Sequence, residues 1–334
     1  MTNKSNRRQF LKQTAVAGVL AAYPKVIDNA AHAEDVSGKS RLVIIRNPDV
    51  LSGPEGIDAG IKKDVLAAML DGAVLRLTGH SDARSAWQSL FNKEDVVGIK
   101  VNCLGSRGAT THPEVAHAAA DALVRIGLEP SNIIIWDRST TDLLSSGYAI
   151  NRSGNGVRVL ANDDDWEDEP TITGTFNGRL TKIITRDITA LINIPFMKDH
   201  QLAGITGALK NHYGSFHNPM TCHGNRCDPY IADLNGIPAI RDKTRLIVMD
   251  ALRPQAHGGP ALLSQALWDF CGLLVSRDPV AVDSMSWRII DERRKQTGLP
   301  TVAEAGREPV SIVTAAARGL GVMDLDKMEV IRAG

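Results

Sequence analysis

Short apolar runs alternate with segments of helical periodicity along most of the chain. Each run is bounded by Asp, Asn or Gly, which is typical of buried strands. In the first half the runs predict strands at Arg41–Arg46, Val96–Val101, Ile133–Trp136 and Val157–Leu160. Because helical segments separate the runs, the order favours an α/β fold with a mostly parallel sheet and flanking helices.

The second half repeats this alternation. Its apolar runs predict strands at Ala190–Ile194, Arg245–Met249, Gly272–Ser276 and Lys327–Ile331. Its helical periodicity predicts helices at Leu202–Asn211, Tyr230–Ile240, Pro279–Gln296 and Val310–Arg318. Between the halves lies an acidic run, Asp163–Glu169, which is typical of a solvated loop. As a hinge, it would divide the chain into an N-terminal lobe, 41–170, and a C-terminal lobe, 171–334, that share one cleft.

The helix after the second predicted strand has marked ends. Thr111 is predicted to cap its first turn, and Glu114 completes a capping box with it. Pro113 suits the first turn because its missing backbone donor would be unpaired there anyway. The helix is therefore expected at Pro113–Ile126. In the second half, Asp278 precedes a proline in the same way and is interpreted as a structural cap.

The start of the chain has the pattern of a twin-arginine export signal. A paired arginine lies within Asn6–Lys12, and a short apolar segment, Thr14–Ala22, follows it. Small residues at Ala31 and Ala33 suit signal peptidase cleavage before Glu34. Residues 1–33 are therefore expected to be a signal peptide that directs the folded protein through the twin-arginine export machinery to the periplasm. The alternative is an ordinary amphipathic N-terminal helix.

Charge and composition narrow the range of partners. The 38 basic and 38 acidic residues balance, so the chain has no excess charge that would favour nucleic acid. No later segment has 18 uninterrupted apolar residues, so no stable membrane association is expected after cleavage. Four cysteines are too few for a disulfide-built scaffold of 334 residues. If one bridge forms in an oxidising compartment, Cys222 and Cys227 are the expected pair.

Two loops carry candidate chemistry, because ligands of parallel sheets bind beyond the carboxyl ends of the strands. The first loop leaves a buried strand and enters the capped helix. Its polar side chains and the helix N-terminus are suited to a carboxylate or a phosphate. A flexible connection with a good cap explains the same pattern. The candidate anion-binding residues are Asn102, Ser106, Arg107, Thr111 and His112.

The second loop region, Lys198–Asp228, is crowded with histidine and cysteine. Imidazole and thiolate are ligands for transition metals, here iron, zinc, copper or nickel. No closely spaced cysteine pair or His-Glu-x-x-His helix is present, so each histidine alone is better explained as a hydrogen-bonded loop residue, whereas the cluster as a whole favours a metal. The candidate metal ligands are His200, His212, His217, His223 and Cys227.

Several longer segments together resemble one protein family. They are Val97–Asn102, Thr111–Pro113, Ile194–His200, Gly204–His212, Cys227–Leu234, Leu246–Leu252, His257–Pro260 and Ser276–Asp283. They are similar to the bacterial domain-of-unknown-function family numbered 362, from about residue 41 to the last residue. The leader fits a periplasmic branch of that family. Several relatives carry a ferredoxin-type module, but its cysteine run is absent here, which argues against an iron–sulfur cluster.

Two classes of function remain open. The first is an exported metal-dependent enzyme, with an oxidoreductase as one possibility, that acts on a small anionic substrate. In that hypothesis Lys198, Asp199 and Lys210 are the catalytic candidates, and Asp199 or Asp250 orients a ligand histidine. The second is a periplasmic protein that binds a metal or a cofactor for storage, delivery or maturation without catalysis.

Overall fold

A computed structural model describes residues 38–53, 60–105 and 107–334. The predicted signal peptide, its cleavage site and Ser106 lie outside the described residues. The strands are β1 (Ser40–Arg46), β2 (Leu51–Ser52), β3 (Gly60–Ile61), β4 (Val97–Val101), β5 (Ile133–Asp137), β6 (Arg158–Ala161), β7 (Thr171–Thr173), β8 (Phe176–Gly178), β9 (Ala190–Ile194), β10 (Phe196–His200), β11 (Gly204–Thr206), β12 (Thr244–Gln255), β13 (Gly272–Ser276) and β14 (Met328–Ala333).

The α-helices of the described residues vary from one turn to five. They are α1 (Lys63–Thr78), α2 (Ala83–Gln88), α3 (Pro113–Arg125), α4 (Thr140–Ser145), α5 (Ala208–Asn211), α6 (Tyr230–Asn235), α7 (Pro238–Arg241), α8 (Pro279–Gln296) and α9 (Val310–Ala317). Single 3₁₀ turns connect many of them.

The main sheet has ten strands and is mostly parallel. Eight of them form the order β14-β1-β13-β12-β9-β4-β5-β6, while β10 pairs with β12 and β11 pairs with β10. Strand β13 runs antiparallel to both of its neighbours, and β11 runs antiparallel to β10. The other pairs in this sheet are parallel, so the α/β prediction is confirmed. Strands from both predicted lobes join in this one sheet.

Helices cover both faces of the sheet. One apolar cluster joins α1, α2 and α3 to one face, with Leu70, Trp87 and Leu123 fully or almost fully buried. A second cluster joins α6, α8 and α9 to the other face through residues such as Ile231 and Val282. Burial of this apolar surface is the main driving force for the three-layer arrangement. No helix among the described residues is long and apolar enough to cross a membrane.

Several predicted elements are confirmed with their bounds, and others are wrong. The strands Ala190–Ile194 and Gly272–Ser276 and the helix Pro279–Gln296 match the structure. The predicted helix at Leu202–Asn211 is wrong, because β11 occupies its first half and only the last turn is helical. The predicted helix Tyr230–Ile240 is two short helices, since the chain leaves the helical conformation before the proline that starts α7.

The predicted capping role of Thr111 is also wrong. The residue at the helix N-cap is His112, whose side chain makes no capping hydrogen bond. The Thr111 hydroxyl instead accepts a hydrogen bond from the backbone N–H of Asn102 at 2.9 Å and donates one to the carbonyl of Ile194 at 2.7 Å. Thr111 therefore holds the loop after β4 against the end of β9. Asp278 is confirmed as a cap, because its carboxylate accepts from the N–H of Ala281.

Candidate functional site

The β10–β11 hairpin lies beyond the carboxyl end of β9 and presents polar side chains on one face. In its antiparallel register Lys198 is opposite Thr206, and His200 is opposite Gly204. Side chains of opposed residues lie on the same face of a sheet, so Lys198, His200 and Thr206 share one face. Asp199 points to the other face. All four polar residues are buried.

Lys198 connects this face to the loop after β4. Its ammonium nitrogen donates hydrogen bonds to the backbone carbonyls of Leu104 and Ala109, the latter at 2.7 Å. Gly105 has φ of +129°, and a Cβ there would lie 2.9 Å from Lys198 Nζ, so only glycine lets the loop approach this closely. The structure thus brings the two candidate loops together.

Burial changes the chemistry of Lys198. The side chain is fully buried, and loss of hydration disfavours its charged form and lowers its pKa to about 7. A substantial share of Lys198 is therefore an uncharged amine at neutral pH. That amine has two hydrogens, which match the two carbonyls, and a lone pair that remains to accept a proton.

His200 is fixed as a neutral hydrogen-bond donor. Its Nδ1 accepts hydrogen bonds from the backbone N–H groups of Leu202 at 3.0 Å and Ala203 at 3.2 Å, so the proton is on Nε2. Burial, followed by the charge of Lys210 and then by His223, lowers the pKa of His200 to about 2. A neutral imidazole of this kind donates from Nε2 across the whole physiological pH range.

Lys210 supplies a second lysine, from the helix α5. Its Nζ lies 3.6 Å from Cys227 Sγ and 3.7 Å from the centre of the Tyr213 ring. Burial lowers the pKa of Lys210 to about 8. The helix that carries it is held by Asp283, whose carboxylate accepts hydrogen bonds from the N–H groups of Ala208 at 2.6 Å and Leu209 at 3.0 Å. Lys210 is therefore a positioned cation with no carboxylate of the described residues at contact distance.

The segment after α5 places His223 and Cys227 beside these lysines. His223 stacks on His200 with 6.4 Å between ring centres, and its Nδ1 lies 2.8 Å from the carbonyl of Pro219. That bond makes Nδ1 the donor and leaves a lone pair on Nε2. Asn225, Arg226 and Cys227 all have positive φ, between 47° and 67°. This conformation is costly for non-glycine residues, and here it turns the chain back so that Cys227 is buried.

A second polar cluster lies beneath the first, at the ends of β4 and β5. Lys100 Nζ lies 2.7 Å from Asp137 Oδ1, and both side chains are buried. Asp137 Oδ2 accepts the N–H of Cys103 at 2.6 Å. Asn211, next to Lys210, bonds to Asn102 Nδ2 through its Oδ1 at 3.2 Å. These bonds connect the loop after β4 to α5, and Asn102 is part of this support.

His112 forms a pair with Asp250 at the start of α3. Both the backbone N–H and the Nδ1 of His112 bond to Asp250 Oδ2, at 2.8 and 2.7 Å. Burial favours the neutral ring, but the Asp250 carboxylate outweighs it, and the pKa of His112 is raised above its ordinary value. The centre of the His112 ring lies 6.0 Å from the centre of the Phe196 ring, and the Lys198 ammonium lies 5.9 Å from the same Phe196 ring. His112 therefore lies close to the site but is held by a different element.

Asp199 is occupied by structural partners. Its Oδ1 accepts the N–H of Gly259 at 2.7 Å, and its Oδ2 pairs with Arg307 at 2.8 Å and Arg294 at 3.9 Å. The carboxylate is fully buried, on the hairpin face opposite Lys198. In this arrangement Asp199 fastens the hairpin to the turn at Gly259, to α8 and to the connection between α8 and α9, and its charge is already neutralised.

The other candidate residues lie apart from this group. His212 is buried, with Nδ1 3.1 Å from Ser215 Oγ and Nε2 3.4 Å from Asn193 Nδ2. His217 accepts the N–H of Arg179 at 3.2 Å and packs on Trp166. Arg107 is exposed. The structure therefore brings Lys198, His200, Lys210, His223 and Cys227 together, and we name these five residues the lysine–histidine site.

Metal binding stays a prediction. Within the described ranges, which omit 1–37, 54–59 and 106, no group of three His, Cys, Asp or Glu side chains is placed to hold a metal ion. His223 Nε2 and Cys227 Sγ are the donors of the lysine–histidine site best suited to one. His200 is less suited, because its Nδ1 faces two N–H donors and its Nε2 carries the proton. All four cysteines are free thiols, so Cys222 and Cys227 are not bridged.

Sequence reasoning missed Lys100, Asp137 and Tyr213. A signal for the first was available, because Lys100 interrupts the otherwise apolar run of β4, and a charged residue in a buried strand requires a partner. Its partner lies 37 positions along the chain, and nothing in the local pattern identifies it. Tyr213 carries no signal of its own, because its role depends on the lysine above its ring.

A match to a protein-family model assigns the chain to a family. The model for the domain of unknown function DUF362 matches residues 97–288, which is more than half of the chain. The chain belongs to the DUF362 family. The match includes the whole lysine–histidine site and the Lys100–Asp137 pair.

The other comparisons add little to the family assignment. The chain is similar to a Thermotoga maritima protein whose crystal structure is known, with 11% identity and a TM-score of 0.42. The alignment covers 72% of this chain, which spans about 60% of that protein's length. No curated protein matches the chain.

The buried lysines of this DUF362 member make its stability depend on pH. Above about pH 7 the folded protein holds Lys198 uncharged, while the unfolded chain keeps it protonated up to about 10.5. The unfolded state then binds more protons at Lys198, so this residue is expected to make the free energy of unfolding rise with pH, with a slope that approaches about 1.4 kcal/mol per unit above pH 7. Urea unfolding at pH 7.0, 7.75 and 8.5 measures this slope.

The variants Lys198→Met and Lys93→Met make the pH test specific. The free energy of unfolding of Lys198→Met is expected to rise less steeply with pH than that of the wild type, because Lys198 titrates in this range. Lys93 is exposed and is the matched control, and its replacement is expected to leave the slope unchanged. Equal slopes in the wild type and in Lys198→Met would contradict a lowered pKa at Lys198.

Proposed function

We propose that this protein is an enzyme that transfers protons on a small organic acid, with Lys198 as the base. The observation that supports this most is the placement of a fully buried lysine beside a neutral histidine donor at the carboxyl end of the sheet. General bases work best when their pKa lies near the working pH, and burial is the usual means of lowering a lysine into that range. Ligand sites of α/β sheets also lie at this edge.

The charges of the lysine–histidine site favour an anionic substrate. Lys210 is buried against a thiol and an aromatic ring, and no carboxylate in the described part of the chain contacts its charge. Inside a protein an unpaired charge is costly, and a bound anion removes that cost. We therefore assign the substrate carboxylate to the vicinity of Lys210.

The proposed step is the removal of a proton from the carbon next to the substrate carboxylate. The amine of Lys198 takes the proton, the C–H bond breaks, and its electron pair moves onto a carboxyl or carbonyl oxygen. The Nε2–H of His200 and the ammonium of Lys210 stabilise the negative charge on that oxygen. Lys198 then returns a proton to the same carbon or to a neighbouring atom. The two carbonyl contacts of Lys198 fix the direction of its lone pair.

Deuterium exchange tests this function across several classes of organic acid at once. The purified mature protein is incubated in D₂O with 2-hydroxy acids, 2-oxo acids, amino acids and dicarboxylates, and the C–H signals are followed by NMR. Loss of the signal next to the carboxylate in at least one acid is the expected result. If calorimetry detects binding of these acids but none exchanges, the chemistry is wrong. If none binds, an anionic substrate is wrong as well.

A further inference from the structure

Thr206 has a buried hydroxyl that no protein group satisfies. Its side chain is 4% exposed, and Oγ1 has no hydrogen-bond partner among residues 38–53, 60–105 and 107–334. Buried polar groups in folded proteins are almost always paired, so an unpaired one requires an explanation. A ligand that is bound during function is one such explanation.

The position of Thr206 favours a ligand at the lysine–histidine site. Thr206 is directly opposite Lys198 in the β10–β11 register, on the same face of the hairpin. Directly opposed residues of an antiparallel pair have Cβ atoms about 4.5–5.5 Å apart. The unpaired hydroxyl is therefore a neighbour of the Lys198 side chain. One residue beyond it, Gly207 begins the segment that Asp283 fixes and that carries Lys210.

We infer that the Thr206 hydroxyl donates a hydrogen bond to a carboxylate oxygen of the substrate. This inference rests on the proposed function and adds a specific binding residue to it. The Nε2–H of His200 and the ammonium of Lys210, near this position, are donors, and they require an acceptor-rich ligand. A hydroxyl beside them completes the set with a donor that does not titrate.

A carboxylate fits this set better than a phosphate does. Each carboxylate group brings a single negative charge to this position, whereas a phosphate group brings up to two. The carbonyl oxygens of Leu104 and Ala109 also lie at Lys198 Nζ, and they oppose additional negative charge there.

Oxalate binding, measured by calorimetry, tests the inference with the full mature protein. Oxalate has no C–H bond, so it reports binding alone. Thr206→Val keeps the side-chain shape and removes the hydroxyl, and it is expected to weaken oxalate binding by about tenfold, which is the usual scale of a hydrogen bond to a charged group. Thr206→Ser restores the hydroxyl and is expected to bind oxalate within a few-fold of the wild type. The thermal midpoint of ligand-free Thr206→Val should not fall.

Ser284 offers a matched control, because its Oγ is also buried and unpartnered in the described part of the chain. Ser284→Ala is expected to bind oxalate as the wild type does. Equal oxalate affinity in Thr206→Val and the wild type would overturn the inference and leave the proposed function intact. A loss of oxalate affinity in Ser284→Ala as large as that in Thr206→Val would also overturn the inference. If inorganic phosphate binds in place of oxalate, the carboxylate assignment is wrong, and if the wild type binds neither, the proposed function fails too.

Discussion

Replacement of Lys198 with methionine is expected to slow deuterium exchange on the substrate by a factor of about 10²–10⁴, the usual contribution of a general base. Methionine has a similar length and fills the same buried space, but it has no lone pair of comparable basicity. The exchange rate is measured by NMR in D₂O, with the acid that the wild type exchanges fastest. Lys198→Arg should be equally slow, because a guanidinium keeps its proton at all accessible pH values.

Lys243 provides the matched control for this variant. Its Nζ also donates to two backbone carbonyls, those of Ile184 at 2.6 Å and Ile188 at 2.7 Å. It precedes β12, so it lies at the opposite edge of the sheet from the lysine–histidine site. Lys243→Met therefore reproduces the loss of two lysine–carbonyl bonds and should retain full exchange activity. Undiminished exchange in a folded Lys198→Met protein would assign the base to another residue.

Replacement of Lys100 with methionine is expected to lower the free energy of unfolding by about 3–5 kcal/mol, because it leaves a buried carboxylate without its cation. Asp137 is 5% exposed, and Lys100 is fully buried against it. A loss of this size is a large part of the roughly 5–15 kcal/mol that stabilises a typical domain. Urea unfolding followed by circular dichroism measures it.

The double variant Lys100→Met with Asp137→Asn isolates the cause. The amide carries no charge but still accepts the N–H of Cys103, so the double variant should be more stable than Lys100→Met alone. Lys182→Met is the control for an exposed pair, since Lys182 lies 2.9 Å from Asp165 at the surface and should contribute less than about 1 kcal/mol. A double variant as unstable as the single one would show that lost packing, not the unpaired charge, causes the effect.

The sequence alone predicts those strands and helices whose own residues indicate both the secondary structure and the burial. Ala190–Ile194 and Gly272–Ser276 are continuous apolar runs, and strands buried on both faces have this pattern. Asp278 and its following proline mark the start of the helix Pro279–Gln296 because the cap lies within that helix itself. In such cases the residues that interact are only a few positions apart, so a short segment of the sequence is enough to predict the element.

The sequence does not predict elements whose bonds are made to distant residues. Thr111 has the pattern of a helix cap, but its hydroxyl bonds instead to the backbone N–H of Asn102, just after β4, and to the carbonyl of Ile194 at the end of β9. The segment 202–211 has helical periodicity, but pairing with β10 converts its first half into a strand. For the candidate site, the crowding of His and Cys locates the region. The tautomer of His200, the burial of Lys198 and the unpaired hydroxyl of Thr206 depend on the assembled fold.

The order of the strands in the sheet prevents β1 from pairing until late in synthesis. Among the described strands β1 is made first, but both of its neighbours are made last, and the partner of Arg46 in β13 is Gly272. At a ribosomal speed of about 5–20 residues per second, β1 waits about 10–45 s for that partner. Throughout this interval the nascent chain carries an apolar strand with two open edges. We therefore expect newly made chains to need protection from aggregation until translation is nearly complete.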